Sequence, residues 1–425
     1  MITMSLIVTE SPAIAVHESR ARAWGIGLPS TVAVRVGDRV VHIPMHGHRA
    51  DHKRLHIGAQ WSTQLCLPQS GNVCVSYVQH ELRIGPLLAL LMPRVGSVEA
   101  RWGKSTAWCS EVVRAARMLG GIAMCIVPQR VDRAGVDGWT REGDEWIRKR
   151  FPWPDAVHNR LPSRALERSK QMRVFWNKCK SKQTVVWNEA YIDKTTMSAL
   201  LHASIRMRPH TPYSQTLRDV GVLHTAVQRY ATVFVKPSRG SLGKGIVRVR
   251  TAATGGYELA FSDGRSLHAH TIGQAYAAVR GRSEHIVQQG ITLMRVRGCP
   301  VDFRVLVQKN GAGAWCASSI VARIAKAGAF VTNVAKGGTV HCAQAIIGRR
   351  MRDAVCAVAL RTAKHVEDGC RMHIAELGID IAVDTQRRIW ILEVNAKPSK
   401  DHMTPQRSIR TSVRHVWAYA QHTWL

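Results

Sequence analysis

Long apolar runs are absent from this 425-residue sequence: the longest, Pro86 to Pro93, is far too short to cross a bilayer as a helix. Cysteine pairs are absent as well. The ten cysteines stand singly at positions 66, 74, 109, 125, 179, 299, 316, 342, 356 and 370, with neither metal-ligand spacing nor a repeating framework. Several lie inside apolar stretches such as Ile122 to Val127, where a thiol behaves as a small hydrophobe. The first residues lack a basic segment followed by an unbroken apolar one, because Glu10 and Glu18 interrupt them. These absences argue against a helical membrane protein, a disulfide scaffold and a secreted precursor. The expectation is a reduced, soluble, cytoplasmic protein.

Acidic residues are the other shortage. Against 60 Lys+Arg stand 29 Asp+Glu, a formal charge of +31, and such a field attracts polyanions and anionic substrates. The excess is spread along the chain, with only the first quarter near balance, so there is no basic arm of the usual nucleic-acid-binding kind. A general arginine bias gives the same totals. Aromatics make up only 6%, half of them Trp (13 Trp, 7 Tyr, 6 Phe). Apolar residues are present in ordinary amount, 45%, which excludes wholesale disorder. The length calls for two or three domains.

Residues 1–82 read as a β-rich module. Val32 to Val36 and Val40 to Ile43 flank Gly37-Asp38, which is hairpin-turn chemistry, and Val73 to Val78 alternates like another strand. Residues 83–190 change to strand–helix alternation, which argues for an open α/β domain. There Pro86 to Met92 predicts a buried strand, Val112 to Leu119 has helical spacing that Gly120-Gly121 stops, and Ile122 to Val127 predicts the next strand. Phe151-Pro152-Trp153-Pro154-Asp155 follows as a rigid, non-helical crossing piece. Trp139, Trp146 and Trp153 are expected to pack an interdomain surface. Arg160 to Lys182 carries eight Lys/Arg and one acid, Glu167, with Leu166, Met172, Val174 and Phe175 on a helical stripe. A solvated amphipathic helix is the preferred reading over a nucleic-acid site, because no docking motif for base edges accompanies it.

Beyond residue 190 the sequence carries chemistry. Val233 to Val249 reads as strand, Gly-rich loop, strand. A strand-borne Lys236 can reach phosphate oxygens as a fixed charge, and Gly240, Gly243 and Gly245 let the loop backbone approach them. It is not a Walker A loop, since no Gly-Lys-Ser/Thr opens a helix. Ile286 to Ile291 reads as a buried strand leaving into a hinge, with polar groups placed to read an adenine edge. Val301 to Val307 alternates and puts Asp302 and Arg304 on one face of one strand, where an intra-strand ion pair is the plain expectation. Leu377 to Asp384 and Ile389 to Asn395 predict adjacent antiparallel strands. Glu393 and Asn395 then share a face, with Asp380 opposite them across the hairpin. Three oxygen-bearing side chains on one strand pair suit Mg2+ shared with a polyphosphate, and buried unpaired carboxylates inside such strands are expensive without a cation.

These residues resemble the ATP-grasp superfamily, and more closely the YheC/YheD family of endospore coat-associated ATP-grasp proteins. The resemblance rests on Phe-Pro-Trp-Pro-Asp at 151–155, Asn159-Arg160, Lys236-Pro237, residues 240–245, Val287 to Gly290, Asp302 to Lys309, Ala322-Arg323, Thr332-Asn333, Gly337-Gly338 and Glu393 to Pro398. It covers roughly residues 84–425. Beyond the β-rich N-terminal module over 1–82, it implies an α/β (α+β) ATP-grasp architecture: a pre-ATP-grasp α/β domain over 83–190 and an ATP-grasp domain over 191–425. Within the last, a nucleotide lid takes about 209–290 and a metal-binding subdomain about 291–425.

The resemblance also implies roles. Lys194 and Lys236 meet ATP phosphates, and the loop with Gly240, Ser241, Gly243 and Lys244 closes over them. Gln288, Gln289 and Ile291 hold adenine. Arg304 and Arg323 meet the γ-phosphate and the acylphosphate, with Lys236 beside them as a catalytic charge. Asp380, Glu393 and Asn395 ligate Mg2+ or Mn2+. Two departures stand out: Gln289 replaces a Glu common in the superfamily, and Ile379 precedes the metal Asp where some ligases place an Arg nearby. Arg304, Arg323 or Lys397 then has to supply that charge.

The implied reaction is attack of a substrate carboxylate on the γ-phosphorus of ATP, giving an acylphosphate and ADP, followed by displacement of phosphate by an amine or a thiol. An acidic peptide or polymer as substrate suits the positive charge, and a link to the spore coat or cell envelope follows from the resemblance. Two other readings stand beside it: a coat-layer structural protein with the fold but no turnover, and a basic, non-specific binder of nucleic acid. His341, Cys342, His365, Cys370 and His373 fall in one stretch, but their spacing fits no zinc motif.

Overall fold

The computed structural model describes residues 1–132, 135–238, 244–281, 284–332, 337–399 and 408–424. Short alternating strands at the N-terminus roll into a closed seven-stranded barrel. Its order is Ile2–Thr9, Arg54–Gly58, Ile14–His17, Arg39–His48, Ser30–Val36, Glu81–Gly85 and Ser70–Val78, the last pairing back onto the first. Closure leaves no free edge, and the alternate residues Val34, Ile43, Leu55, Ile57 and Val75 are fully buried.

The turn at Gly37-Asp38 is where the barrel meets the rest of the chain. Asp38 Oδ1 accepts from Trp153 N at 2.7 Å, and Asp38 N donates to Trp153 O at 3.1 Å. The flanking prolines hold this segment extended, so the buried Trp153 indole can donate to Thr184 Oγ1 at 2.7 Å.

The second sheet runs Glu145–Phe151, Gly135–Glu142, Ile122–Asp132, Leu87–Leu91, Ala156–Asn159, Val185–Trp187, the last four parallel. Leu87–Leu91 is buried at every position, as an unbroken apolar run requires of a strand covered on both faces. Helix Thr106–Leu119 stops at Gly120, whose φ of 84° is left-handed. The tryptophans do not form one surface. Trp139 and Trp146 meet Trp102 edge-on at 5.7 and 5.6 Å, whereas Trp153 packs on Phe175 at 5.5 Å. The hairpin of Gly135–Glu142 and Glu145–Phe151 carries the first two to the opposite side of the sheet from Trp153. Arg160 to Lys182 is likewise two helices, Arg164–Glu167 and Lys170–Ser181, because Ser163 and Ser169 each cap a new start. Met172, Phe175 and Cys179 face inward at helical spacing, while Val174 is 65% exposed and lies off the expected stripe.

The third sheet is antiparallel throughout, ordered Ser214–Thr216, His285–Gln289, Thr232–Pro237, Val247–Thr251, Tyr257–Phe261, Ser266–Ala269. Helices Val220–Tyr230 and Ile272–Val279 back it around Leu223, Val227, Val233 and Val249. The fourth runs Thr339–Cys342, Trp315–Ile324, Cys299–Lys309, Glu376–Val383, Ile389–Asn395 and is backed by the segment Ala343–Cys370. Helix Thr411–Trp424 then returns to helix Thr106–Leu119, where Trp417 Nε1 donates to Val112 O at 2.9 Å. Among the described residues no helix is long and apolar enough to cross a membrane.

Candidate functional site

A cavity of about 780 Å³ lies between the third and fourth sheets, a volume suited to a small-molecule ligand. On its fourth-sheet wall, strand register sets charges in a row. Arg323 stands opposite Asp302, Arg304 opposite Asp380, Asp380 opposite Glu393, and Asn395 opposite Gly378. Cross-strand partners are ~5 Å apart, against ~7 Å for residues i and i+2 on one strand. Accordingly Asp302 and Arg304 do not pair with each other. Arg323 binds both oxygens of Asp302, at 2.7 and 2.6 Å, and Thr332 Oγ1 donates to Asp302 Oδ2. Arg304 forks onto Asp380, its Nε on Oδ1 and its Nη2 on Oδ2 at 2.9 Å. Arg323 reaches Asp380 as well, at 3.1 Å.

This arrangement corrects one expectation. Asp380 is buried but not unpaired. Burial pushes its pKa up, but the Arg304 and Arg323 guanidiniums outweigh that and hold it at about 2. Asp302 moves the other way: burial pushes it up against the pull of Arg323. Burial of Asp380 therefore does not by itself demand a metal.

The donor set nevertheless fits a hard cation. Asp380 is ionised, and Asp380, Glu393 and Asn395 all line the cavity. Glu393 is the accessible member, a third exposed and paired with Lys194 at 3.3 Å. No three His, Cys, Asp or Glu side chains among the described residues form a cage, and Mg2+ in particular binds through one or two carboxylates plus waters and phosphate oxygens.

Two local features shape this wall. Ile381 pairs with Ile391, so Leu392 is the extra residue of a bulge, and it joins Glu393 in lining the cavity. Strict alternation would have sent it to the other face. At Gly378 a Cβ would lie 2.6 Å from Pro398 Cβ and 3.3 Å from Arg304 Nη1. The missing side chain gives Arg304 room to lie across the strand, which brings a positive charge beside Asp380 although Ile379 offers none.

The third sheet supplies the facing wall. Lys236 lies on strand Thr232–Pro237, and its Nζ donates to Gln288 Oε1 on the paired strand His285–Gln289. Burial lowers its pKa to about 8, against the raising pull of Glu393. Gln289 Oε1 accepts from Tyr213 N at 3.2 Å, and Gln289 N donates to Tyr213 O at 2.8 Å, so this side chain is committed to the Tyr213 backbone. Gly290 N donates to Thr232 O at 2.9 Å, and a Cβ there would sit 2.7 Å from the same oxygen. Only glycine permits that approach. Ile291 and Lys244 also line the cavity; Gly240, Ser241 and Gly243 lie outside the described residues.

The third wall joins Lys397, a candidate for the missing charge, to Arg160, Glu167 and Tyr191, to which sequence reasoning gave no catalytic or binding role. Arg160 follows the parallel strand Ala156–Asn159, at the carboxyl end where open α/β sheets place ligands. It pairs with buried Glu376 at 3.0 Å. Lys397 pairs with buried Glu167 and lies 4.9 Å from the Tyr191 ring. Burial lowers the Lys397 pKa to about 8, against the pull of Glu167. Position after a parallel strand is the signal that marks Arg160; the pairs themselves, over two hundred residues apart in sequence, leave no local one. In all, ten Lys and Arg against three Asp and Glu line the cavity among the described residues.

A family model described as YheC/D like ATP-grasp matches residues 183–423, more than half of the chain. The chain belongs to this ATP-grasp family. It is 26% identical over 359 residues to the endospore coat-associated protein YheD of Bacillus subtilis (strain 168), covering 79% of this chain and 78% of that one. To YheC of the same strain, also endospore coat-associated, it is 20% identical over 271 residues, 60% of this chain and 73% of that one. Among solved structures, the VanG D-Ala:D-Ser ligase of Enterococcus faecalis aligns over 80% of this chain and all of its own, at 11% identity and a TM-score of 0.49. The matched ATP-grasp span holds every candidate residue from Lys194 to Asn395, whereas Arg160 and Glu167 precede it.

Proposed function

We propose that this YheC/D-like ATP-grasp protein is an ATP-dependent carboxylate–amine or carboxylate–thiol ligase acting through an acylphosphate. The observation that carries this reading is the row Arg323, Asp302, Arg304, Asp380 and Glu393 on one wall of a cavity whose other wall holds Lys236. In this reading residues 83–190 are the pre-ATP-grasp domain and 191–425 the ATP-grasp domain. Asp380, Glu393 and Asn395 hold Mg2+ or Mn2+, whose chemistry is to neutralise polyphosphate charge. Lys194 and Lys236 bind phosphate oxygens, the 240–245 loop with Gly240, Ser241, Gly243 and Lys244 covers them, and Gln288, Gln289 and Ile291 hold the adenine.

Arg304 and Arg323 stabilise the charge of the phosphoryl group in flight and of the acylphosphate. Their carboxylate partners hold both guanidiniums in place beforehand, so little reorganisation is left for the reaction itself. Catalysis here is alignment and charge stabilisation, with no protein nucleophile required. The substrate carboxylate enters past Arg160, Tyr191 and Lys397, and an acidic peptide or polymer matches the cationic lining. In this reading the protein works in the cytoplasm, and the names of the Bacillus relatives, both endospore coat-associated, support a link to the spore coat.

One observation favours a second reading, a structural coat protein that keeps the fold without turnover: Asp380 is already neutralised by two arginines. Thermal unfolding separates the two. ATP at a hundred times its Kd stabilises by about 2.7 kcal/mol, and this shift is expected to need both the divalent cation and Lys236, so that Lys236→Ala shows none. A wild-type protein unmoved by millimolar ATP and Mg2+ favours the structural reading.

The Lys236 pKa also sets a pH dependence. Its ammonium form binds phosphate and predominates in the free protein only below about pH 8. Above that, binding must take up a proton, so ATP affinity is expected to fall about tenfold per pH unit, and to stay level in Lys236→Arg, whose guanidinium remains charged. Calorimetric affinities between pH 7 and 9.5 test this; a level wild-type profile refutes it.

A further inference from the structure

Three strands of the N-terminal barrel bring histidines together, none of them lining the cavity. His17 ends strand Ile14–His17 and stands in register with His48, the last residue of Arg39–His48. His56 lies on Arg54–Gly58, opposite Ala15 of the same central strand. Ring centres are 4.8 Å apart for His48 and His56, 6.0 Å for His17 and His48, and 6.5 Å for His17 and His52. Both ring nitrogens of His48 and Nε2 of His56 are sealed from solvent with no hydrogen-bond partner. Unsatisfied polar atoms of this kind are rare and costly in folded proteins, and three of them on two neighbouring rings call for a polar partner from outside the chain.

The spacing discriminates. An imidazole nitrogen binds Zn2+ at about 2.0–2.1 Å, which places the ion about 3.2 Å from the ring centre, so ligating rings have centres about 5 Å apart at a tetrahedral angle and up to about 6.5 Å when opposed. His48 and His56 meet the tetrahedral value, while His17 with His48 and His52 with His17 stand at the wide end of the range. We propose that His48 and His56, completed by His17 and His52, form a binding site for a borderline divalent cation of the Zn2+ type, separate from the nucleotide cavity. Mg2+ is a poor occupant, because it takes oxygen ligands rather than imidazole.

The ligands differ in readiness. His17 is held through Nδ1 by the Ser19 hydroxyl at 2.7 Å and the Ser19 N–H at 3.2 Å, leaving Nε2 as its outward end. His52 is 59% exposed, 3.8 Å from Asp51. No three candidate ligands converge already, so the third arrives by side-chain rotation, and exposed His52 has the freedom to make it. Once bound, the ion clips strands 14–17, 39–48 and 54–58 of the barrel together.

The test is titration of metal-stripped, full-length protein with Zn2+ against a chromophoric chelator, with Co2+ substitution to report imidazole ligation in the visible spectrum. The expected result is uptake of one Zn2+ per chain, lost in His48→Gln and weakened at least about tenfold in His52→Ala. His52 is exposed, so its removal leaves the barrel folded and the result interpretable. Absence of stoichiometric uptake by the wild type, or unchanged binding in both variants, overturns the proposal. So does uptake that disappears in Glu393→Gln, which places the ion in the cavity instead.

Discussion

Asp380→Asn is expected to lower the unfolding free energy by about 3–5 kcal/mol, the usual cost of removing one partner from a buried ionic network. The carboxylate is only 8% exposed and answers two guanidiniums at once. Asparagine keeps the shape but turns an NH2 toward donors, so both repulsion and lost charge act together. The pH dependence follows with a definite sign. The folded-state pKa, about 2, lies below the ordinary 3.8, so the carboxylate's contribution is complete above about pH 4 and disappears as pH falls toward 2. Denaturant unfolding at pH 7, 4 and 2 should show the wild type losing about 2 kcal/mol more over that window than Asp380→Asn does. A variant within 1 kcal/mol of wild type at pH 7, a margin well under the ~3 kcal/mol of a broken buried pair, defeats this account of the row.

Glu393→Gln is expected to have the opposite signature. Its side chain is a third exposed and its ion pair is with Lys194 at the cavity wall, so the melting temperature should hardly move. Turnover should fall about 10²–10³-fold, since one group that stabilises transition-state charge is commonly worth ~3–4 kcal/mol. ADP formation with a carboxylate that supports it, measured beside a melting curve, reads both properties in one preparation. Unimpaired ADP formation would falsify the metal role given to Glu393. Neighbours across one strand pair thus separate into a residue that holds the wall together and one held ready for ligand.

Much of this wall was legible because a period of two is simple. Alternation through Ile379, Asp380, Ile381 and Ala382, and again through Leu392 to Asn395, places Asp380, Glu393 and Asn395 on a shared face once the strands pair. The apolar run at 86–92 and the stop at Gly120-Gly121 were legible for equally local reasons. Cross-strand capture of Asp380 by Arg304 was not, because it depends on the register of strands 76 residues apart and on the bare backbone at Gly378. The Leu392 bulge breaks the same alternation that made its neighbours readable. Val174 was misplaced because a second cap at Ser169 resets the helical phase, and Trp139 parted from Trp153 because a hairpin intervenes. The barrel closes through the parallel pairing of Ile2–Thr9 with Arg54–Gly58, a non-local choice that strand propensity does not announce.

The apolar residues behind the third sheet, among them Leu223, Val227, Val249 and Leu259, form a core that shares no residue with the other three. Helix Thr411–Trp424, by contrast, is wedged against both the fourth sheet and helix Thr106–Leu119. Mechanically the molecule is therefore a braced frame carrying one paddle. Such a build would permit a swing of that paddle about the segment after Gln289, where the Gly290 N–H is bonded to Thr232 O. Lys236 rides on the paddle and Glu393 on the frame, so a swing would change the distance between them, and with it the gap that the proposed polyphosphate would span.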